Sequence, residues 1–150
     1  MQTIKFNRLN LSNEDFLLDM GCGEGRHSIG AHISTEANIL GFDLSFKDLK
    51  IAKERLNDFD TSQIETICQF ASANIISIPL SDSSLDAVIC SEVLEHVDSP
   101  QESIKELIRV LKPGGVLALS VPRYLPELIC WKLSKDCLLY TSPSPRDKHR

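Results

Sequence analysis

The sequence predicts an α/β fold: an open, mostly parallel sheet of about five strands with flanking helices. Three observations carry that expectation. Short apolar runs of strand length alternate with segments of helical periodicity, the arrangement that builds parallel sheets through right-handed crossovers. The run "LDAVICSE" (85–92) is nearly continuously apolar and β-rich, as strands buried on both faces are. In "LLDMGCGEG" an apolar run passes directly into three glycines at alternate positions, where a first strand would turn into a first helix.

The elements follow in order. "DFLLDM" (15–20) is a short strand stopped by glycine, and "RHSIGAHIS" then supplies about two helical turns. "NILGFDLS" is a second buried-type strand ending at Asp43. Ser45 and Asp48 form a capping box for the next helix, whose apolar face is Phe46, Leu49, Ala52 and Leu56. Strand-like "ICQFASA", the loop "NIISIPLSDSS" and the strand "LDAVICSE" come next, with a short helix expected after the fourth strand. Ser99, Pro100 and Glu102 stand as N-cap, first-turn proline and capping-box acid. Ile104, Leu107, Ile108 and Leu111 then fall on one helical face. That helix stops at "KPGG", and "VLALSVP" is a fifth strand.

The chain of 150 residues is long enough for one domain with a real core, and its 42% apolar and 25% charged residues are those of a globular protein. The net charge of −5, with both signs scattered, disfavours a polyanion-binding module, so no nucleic-acid partner is expected. No apolar run approaches the ~18–20 residues of a membrane span and no secretory signal opens the chain, so the expected location is cytoplasmic. Cys22, Cys68, Cys90, Cys130 and Cys137 show no paired spacing. An odd count without metal spacing points to reduced thiols instead of a disulfide framework or zinc site.

Gly21, Gly23 and Gly25 sit at the carboxyl edge of the predicted sheet, near the switch in strand order where α/β folds bind ligands. Glycines let backbone approach a ligand closely, and a helix N-terminus offers N–H donors. Asp43, at the end of the second strand, is placed to accept both hydroxyls of a ribose. Arg26 occupies the third-glycine position of the dinucleotide fingerprint, and no phosphate loop occurs in the chain. A ligand with a ribose but no pyrophosphate fits better, and an acid beside the loop, Asp19, suits an amine more than a phosphate. A nicotinamide-dependent oxidoreductase is correspondingly disfavoured.

"LLDMGCGEG", "GFDLS", "ANIISIPLSDSSLDAVICSEVLEHV" and "LKPGGVLALSVP" together resemble the class I S-adenosylmethionine-dependent methyltransferases, and within them the small-molecule group called type 11. The resemblance covers roughly 16–122 and implies a Rossmann-like core, with strand order 3-2-1-4-5 and S-adenosyl-L-methionine as cofactor. It implies that Asp19 and the loop of Gly21, Cys22, Gly23 and Gly25 hold the methionine end. Asp43 would bind the ribose hydroxyls, with Leu44 beside the adenine. Asn74 stands where the family often has Asp; its carbonyl would accept from the adenine amino group, and Ile75 would offer a backbone N–H. Cys90 and Ser91 would lie near the sulfonium end. Transfer to an activated carbon needs position and orientation more than a catalytic constellation.

"SEVLEHV" places Glu92, Glu95 and His96 at i, i+3 and i+4, one face of a helix if the segment is helical. The spacing resembles the E-x-x-E-H metal motif of some O-methyltransferases, in which a divalent ion engages the acceptor. Similar stretches also occur in methyltransferases without metal, where they end the fourth strand and cap the next turn. No metal is expected, with these three residues the candidates if one binds and His96 the candidate base.

The domain reading is a lead-in over 1–15, a cofactor-binding core over 16–122, a helical segment beginning at 123–136, and a flexible tail over 137–150. The family fold has seven strands, so the chain is read as truncated, lacking the last two and leaving "VLALSV" as an unpaired apolar edge. The expected acceptor is a small molecule or lipid head group. The alternative is a cofactor-binding fragment without catalytic activity.

Overall fold

The computed structural model describes residues 4–122 and 137–142. The five expected strands are β1 (Phe16–Met20), β2 (Asn38–Asp43), β3 (Cys68–Ser72), β4 (Leu85–Ser91) and β5 (Leu111–Pro122). A sixth, β6 (Cys137–Ser142), joins them in an all-parallel sheet of order β3-β2-β1-β4-β5-β6. The helices are α1 (Arg26–Thr35), α2 (Phe46–Leu56) and α3 (Pro100–Val110), with single 3-10 turns at Phe6–Leu9 and Leu94–His96.

β6 corrects two expectations. Its register against β5 runs from Leu117↔Cys137 to Pro122↔Ser142, so 137–142 is strand and not flexible tail, and β5 is not an unpaired edge. "CLLYTS" has the apolar and β-prone residues that sheet pairing favours, and the chain between the strands is long enough for a parallel crossover. The expected helical segment at 123–136 and the rest of the tail lie outside the described residues.

Local chemistry explains most element ends. Ser45 caps α2 as expected, its Oγ accepting from the Asp48 amide at 3.2 Å. Ser99 does not cap α3 with its side chain: its backbone sits at φ −126°, ψ 74°, away from the usual extended cap. Its carbonyl instead accepts from the amide and hydroxyl of Ser103, at 3.0 and 2.9 Å. The buried stripe of α3 is Ser103, Ile104, Leu107 and Val110, so Ile108 faces outward and Leu111 already belongs to β5. On α2, Leu49 and Ala52 are buried, whereas Phe46, at the helix start, is 77% exposed. "KPGG" forms an irregularity inside β5: Leu111 pairs with Leu85, and regular pairing resumes at Val116 opposite Ala87.

The sheet has a core on each face. Leu18, Val88, Leu117 and Leu119 pack with the stripe of α3, while Leu17, Ile39, Ala87 and Ala118 pack beneath Ala31 of α1. Ile4, Phe6 and Leu9 belong to that second core, so part of the expected lead-in is structural. Burying such side chains contributes roughly 1.5–3 kcal/mol each, enough to hold the edge of the sheet where the strands end. β1 lies between β2 and β4, and the crossovers from it diverge at that edge.

Candidate functional site

A cleft of about 460 Å³ opens at the carboxyl ends of β1 to β4. Gly21 follows β1, Asp43 ends β2 with Leu44 after it, Ala73 and Ile75 follow β3, and Ser91 ends β4 with Glu92 and Val93 after it; Met20, His96 and Val97 complete the lining. The volume lies within the ordinary range for small-molecule sites. The loop after β3 is held from outside the cleft by α3. Arg109 donates to the carbonyls of Ile78 and Leu80 at 2.8 and 2.9 Å, and Glu106 accepts from the Ile78 amide at 2.8 Å.

The glycine loop is tied to β2. The amides of Gly21 and Cys22 donate to the Phe42 carbonyl at 2.7 and 3.0 Å. The Gly23 amide donates to Oδ2 of Asp43 at 2.8 Å, and the Ser45 amide to Oδ1 at 2.9 Å. A carboxylate oxygen has capacity for a further donor, so Asp43 can still accept from hydroxyls in the cleft.

Two of the three glycines are explained by the protein's own packing. Gly21 has φ +76°, and a Cβ there would run into Val93. Gly25 has φ +85°, and a Cβ there would stand 2.9 Å from Cβ of Ala52 and 3.2 Å from the Phe70 ring. A Cβ on Gly23 would meet nothing within 4 Å, so the middle glycine alone faces open space.

The other expected cofactor residues do not all reach the cleft. Asp19 is buried beneath α1, where its Oδ2 accepts from the Ser28 hydroxyl at 2.7 Å. Burial raises its carboxyl to about 6, against the lowering effect of the Ser28 bond. Cys22 packs among Ile29, Leu49 and Phe70. Cys90 is fully buried in the core on the α3 side, and burial pushes both thiols up. Because side chains alternate along β4, Ser91 and not Cys90 presents to the cleft, which corrects the expectation for Cys90. Asn74 is exposed, with its Oδ1 accepting from the Ile76 amide at 3.2 Å; its neighbours Ala73 and Ile75 line the cleft in its place.

The helical face proposed for Glu92, Glu95 and His96 does not form. Glu92 has φ +57° and follows β4, its amide donating to the Ser120 carbonyl at 2.8 Å. Only Leu94–His96 is helical, as one 3-10 turn. Glu95 is largely covered and His96 largely exposed, with Oε1 and Nε2 3.9 Å apart. Among the described residues, no group of three or more His, Cys, Asp or Glu is placed to hold a metal ion. None of the described helices is long and apolar enough to cross a membrane.

Sequence reasoning missed Val93, which lines the cleft and stands against Gly21. It carries no polar signature, and its place just after β4 is visible only once that strand is phased.

An all-parallel sheet with a ligand-sized cleft at its switch point defines a doubly wound α/β protein. The profile of the methyltransferase domain matches residues 18–119, and the chain belongs to that family, the class I S-adenosylmethionine-dependent methyltransferases. An uncharacterized methyltransferase of Schizosaccharomyces pombe is 36% identical over 138 residues, covering 90% of this chain and 50% of that protein. The demethylmenaquinone methyltransferase of Listeria welshimeri is 31% identical over 133 residues, covering 87% and 53%. A geranyl diphosphate C-methyltransferase from Streptomyces coelicolor, solved with Mg2+, geranyl diphosphate and S-adenosyl-L-homocysteine, shares the fold with a TM-score of 0.64 at 24% identity, covering 73% of this chain and 39% of that one. The chain spans about a third to a half of the length of the curated relatives it matches.

Proposed function

We propose that this chain binds S-adenosyl-L-methionine and serves methyl transfer to a small molecule or lipid head group in the cytoplasm, with 16–122 as its cofactor-binding core. The observation that carries the reading is Asp43, fixed at the cleft by two backbone donors with acceptor capacity left for ribose hydroxyls. Leu44 and Ile75 supply the apolar walls for a purine. The open space over Gly23 fits a ligand laid across the loop. Ser91 stands at the β4 end, toward the sulfonium. When bound, the cofactor supplies a methyl group already activated on sulfur. The residues of this chain orient it and exclude water from one side. The relatives' substrates, a demethylmenaquinone and geranyl diphosphate, support a small-molecule acceptor.

Calorimetric titration with S-adenosylhomocysteine tests this reading, with NADH as control. Saturable binding of the homocysteine compound alone is expected. A folded chain that binds neither ligand, or NADH alone, overturns it.

A further inference from the structure

We propose that Val93 determines specificity beyond the ribose: wedged over Gly21 at the switch point, it sets the width of the passage that the ligand's 5′ substituent takes. This rests on the cofactor reading above.

The cleft has two ends. Asp43, Leu44 and Ile75 line it where β2 and β3 end, and Gly21, Ser91 and Val93 where β1 and β4 end. β1 and β4 are parallel neighbours, and the chain leaves them toward opposite sides of the sheet. A crevice therefore opens between their carboxyl ends. In that crevice Val93 stands directly against Gly21. Its Cβ and Cγ1 each lie 3.3 Å from the point that a Cβ on Gly21 would occupy, with Cγ2 nearer still. The space that a side chain just after β1 would take is filled from β4.

The turn after β4 holds Val93 in place. Glu92, at φ +57°, turns the chain after Ser91, and its amide donates to the Ser120 carbonyl of β5 at 2.8 Å. The Val93 carbonyl accepts from the His96 amide at 2.9 Å. Leu94 is sunk in the core on the α3 side. Val93 itself packs against that core and also lines the cleft, so it separates the two. Its β-branched side chain has few rotamers to retreat into, and its methyl groups form a fixed wall.

A ribose held by Asp43 directs its 5′ substituent away from the nucleoside end, toward Gly21 and Val93. Between bare backbone and a valine wall, an unbranched methylene chain passes with apolar contact, whereas a bulkier group meets the methyls of Val93.

S-adenosylhomocysteine carries such a chain, and its calorimetric affinity is compared in the wild type, Val93→Ala and Val93→Leu, each checked for folding by circular dichroism. Val93→Leu adds bulk to the wall and is expected to weaken binding roughly tenfold, the scale of overpacking. Val93→Ala only removes contact, and a smaller loss of roughly threefold is expected. Contact is read separately in Val93→Cys, close in size to valine. Saturating S-adenosylhomocysteine is expected to shield that position from iodoacetamide, as mapped by mass spectrometry, while adenosine, which has no such chain, leaves it reactive. Wild-type affinity in Val93→Leu overturns the inference. So does alkylation at an unchanged rate in the homocysteine complex, or equal shielding by adenosine; in each case the cofactor reading stands. A folded wild type that binds no S-adenosylhomocysteine removes both.

Discussion

The Gly23 amide and Oδ2 of Asp43 meet at 2.8 Å, so the glycine loop and the end of β2 form one hydrogen-bonded unit. The Ser45 amide holds the other oxygen, and the carboxylate cannot rotate without losing a donor. Asp43→Ala is therefore expected to weaken S-adenosylhomocysteine binding by roughly 1.5–3 kcal/mol in calorimetry. Asp43→Asn, which keeps one acceptor oxygen, should lose less. Wild-type affinity in Asp43→Ala sinks the ribose assignment.

Gly21 makes a sharper prediction about stability. Gly21→Ala adds an overlap with Val93 to the strain of a left-handed residue, and about 3 kcal/mol of destabilisation is expected by urea unfolding. Adding Val93→Ala removes the overlap but not the strain, so the double variant should recover only part of the loss. Full recovery, or none, contradicts this account.

Asp19 and His27 have opposing pH dependences. Asp19 is raised from 3.8 to about 6, mainly by burial, so the folded state holds its proton more tightly. Its contribution to stability is greatest below pH 3.8 and is lost as pH climbs toward about 6. His27, packed edge-on to Phe6, is lowered from 6.5 to about 4, again mainly by burial. Its contribution is complete above pH 6.5 and is lost as pH falls toward about 4. Each is worth about 3 kcal/mol at full extent, and between pH 4 and 6 the two slopes oppose. Stability of Asp19→Asn should accordingly rise across that window relative to wild type, and that of His27→Leu should fall, as read from urea midpoints at each pH. Parallel profiles in all three proteins refute the pairing.

The arrangement after β4 predicts indifference to divalent ions. Glu92 lies outside the 3-10 turn that holds Glu95 and His96, so the three groups do not converge on a helical face. Titrations of S-adenosylhomocysteine in EDTA and in millimolar Mg2+ should superimpose. A Mg2+-dependent gain in affinity would restore the metal reading.

The sheet was legible where period and punctuation agreed. The runs ending at Met20, Asp43 and Ser91 have strand length, and their alternation with helices predicts a parallel sheet. Asp43 was legible for the same reason, since a strand end is a local feature. The sequence does not separate Cys90 from Ser91, because a strand buried on both faces has no polar alternation to phase it. Glu92, Glu95 and His96 were given helical spacing by a pattern that one left-handed residue interrupts. β6 and the roles of Gly21 and Gly25 depend on contacts with residues far away in sequence, which no window of the chain displays.

The bonds from Arg109 and Glu106 to the loop after β3 have a mechanical meaning. That loop carries one jaw of the cleft, and the turn leading into α3 carries the other, with Val93 and His96. Both jaws therefore hang from one helix, like the arms of a caliper on a single pivot. A substitution that breaks the Arg109 and Glu106 bonds therefore loosens a cleft wall that neither residue lines.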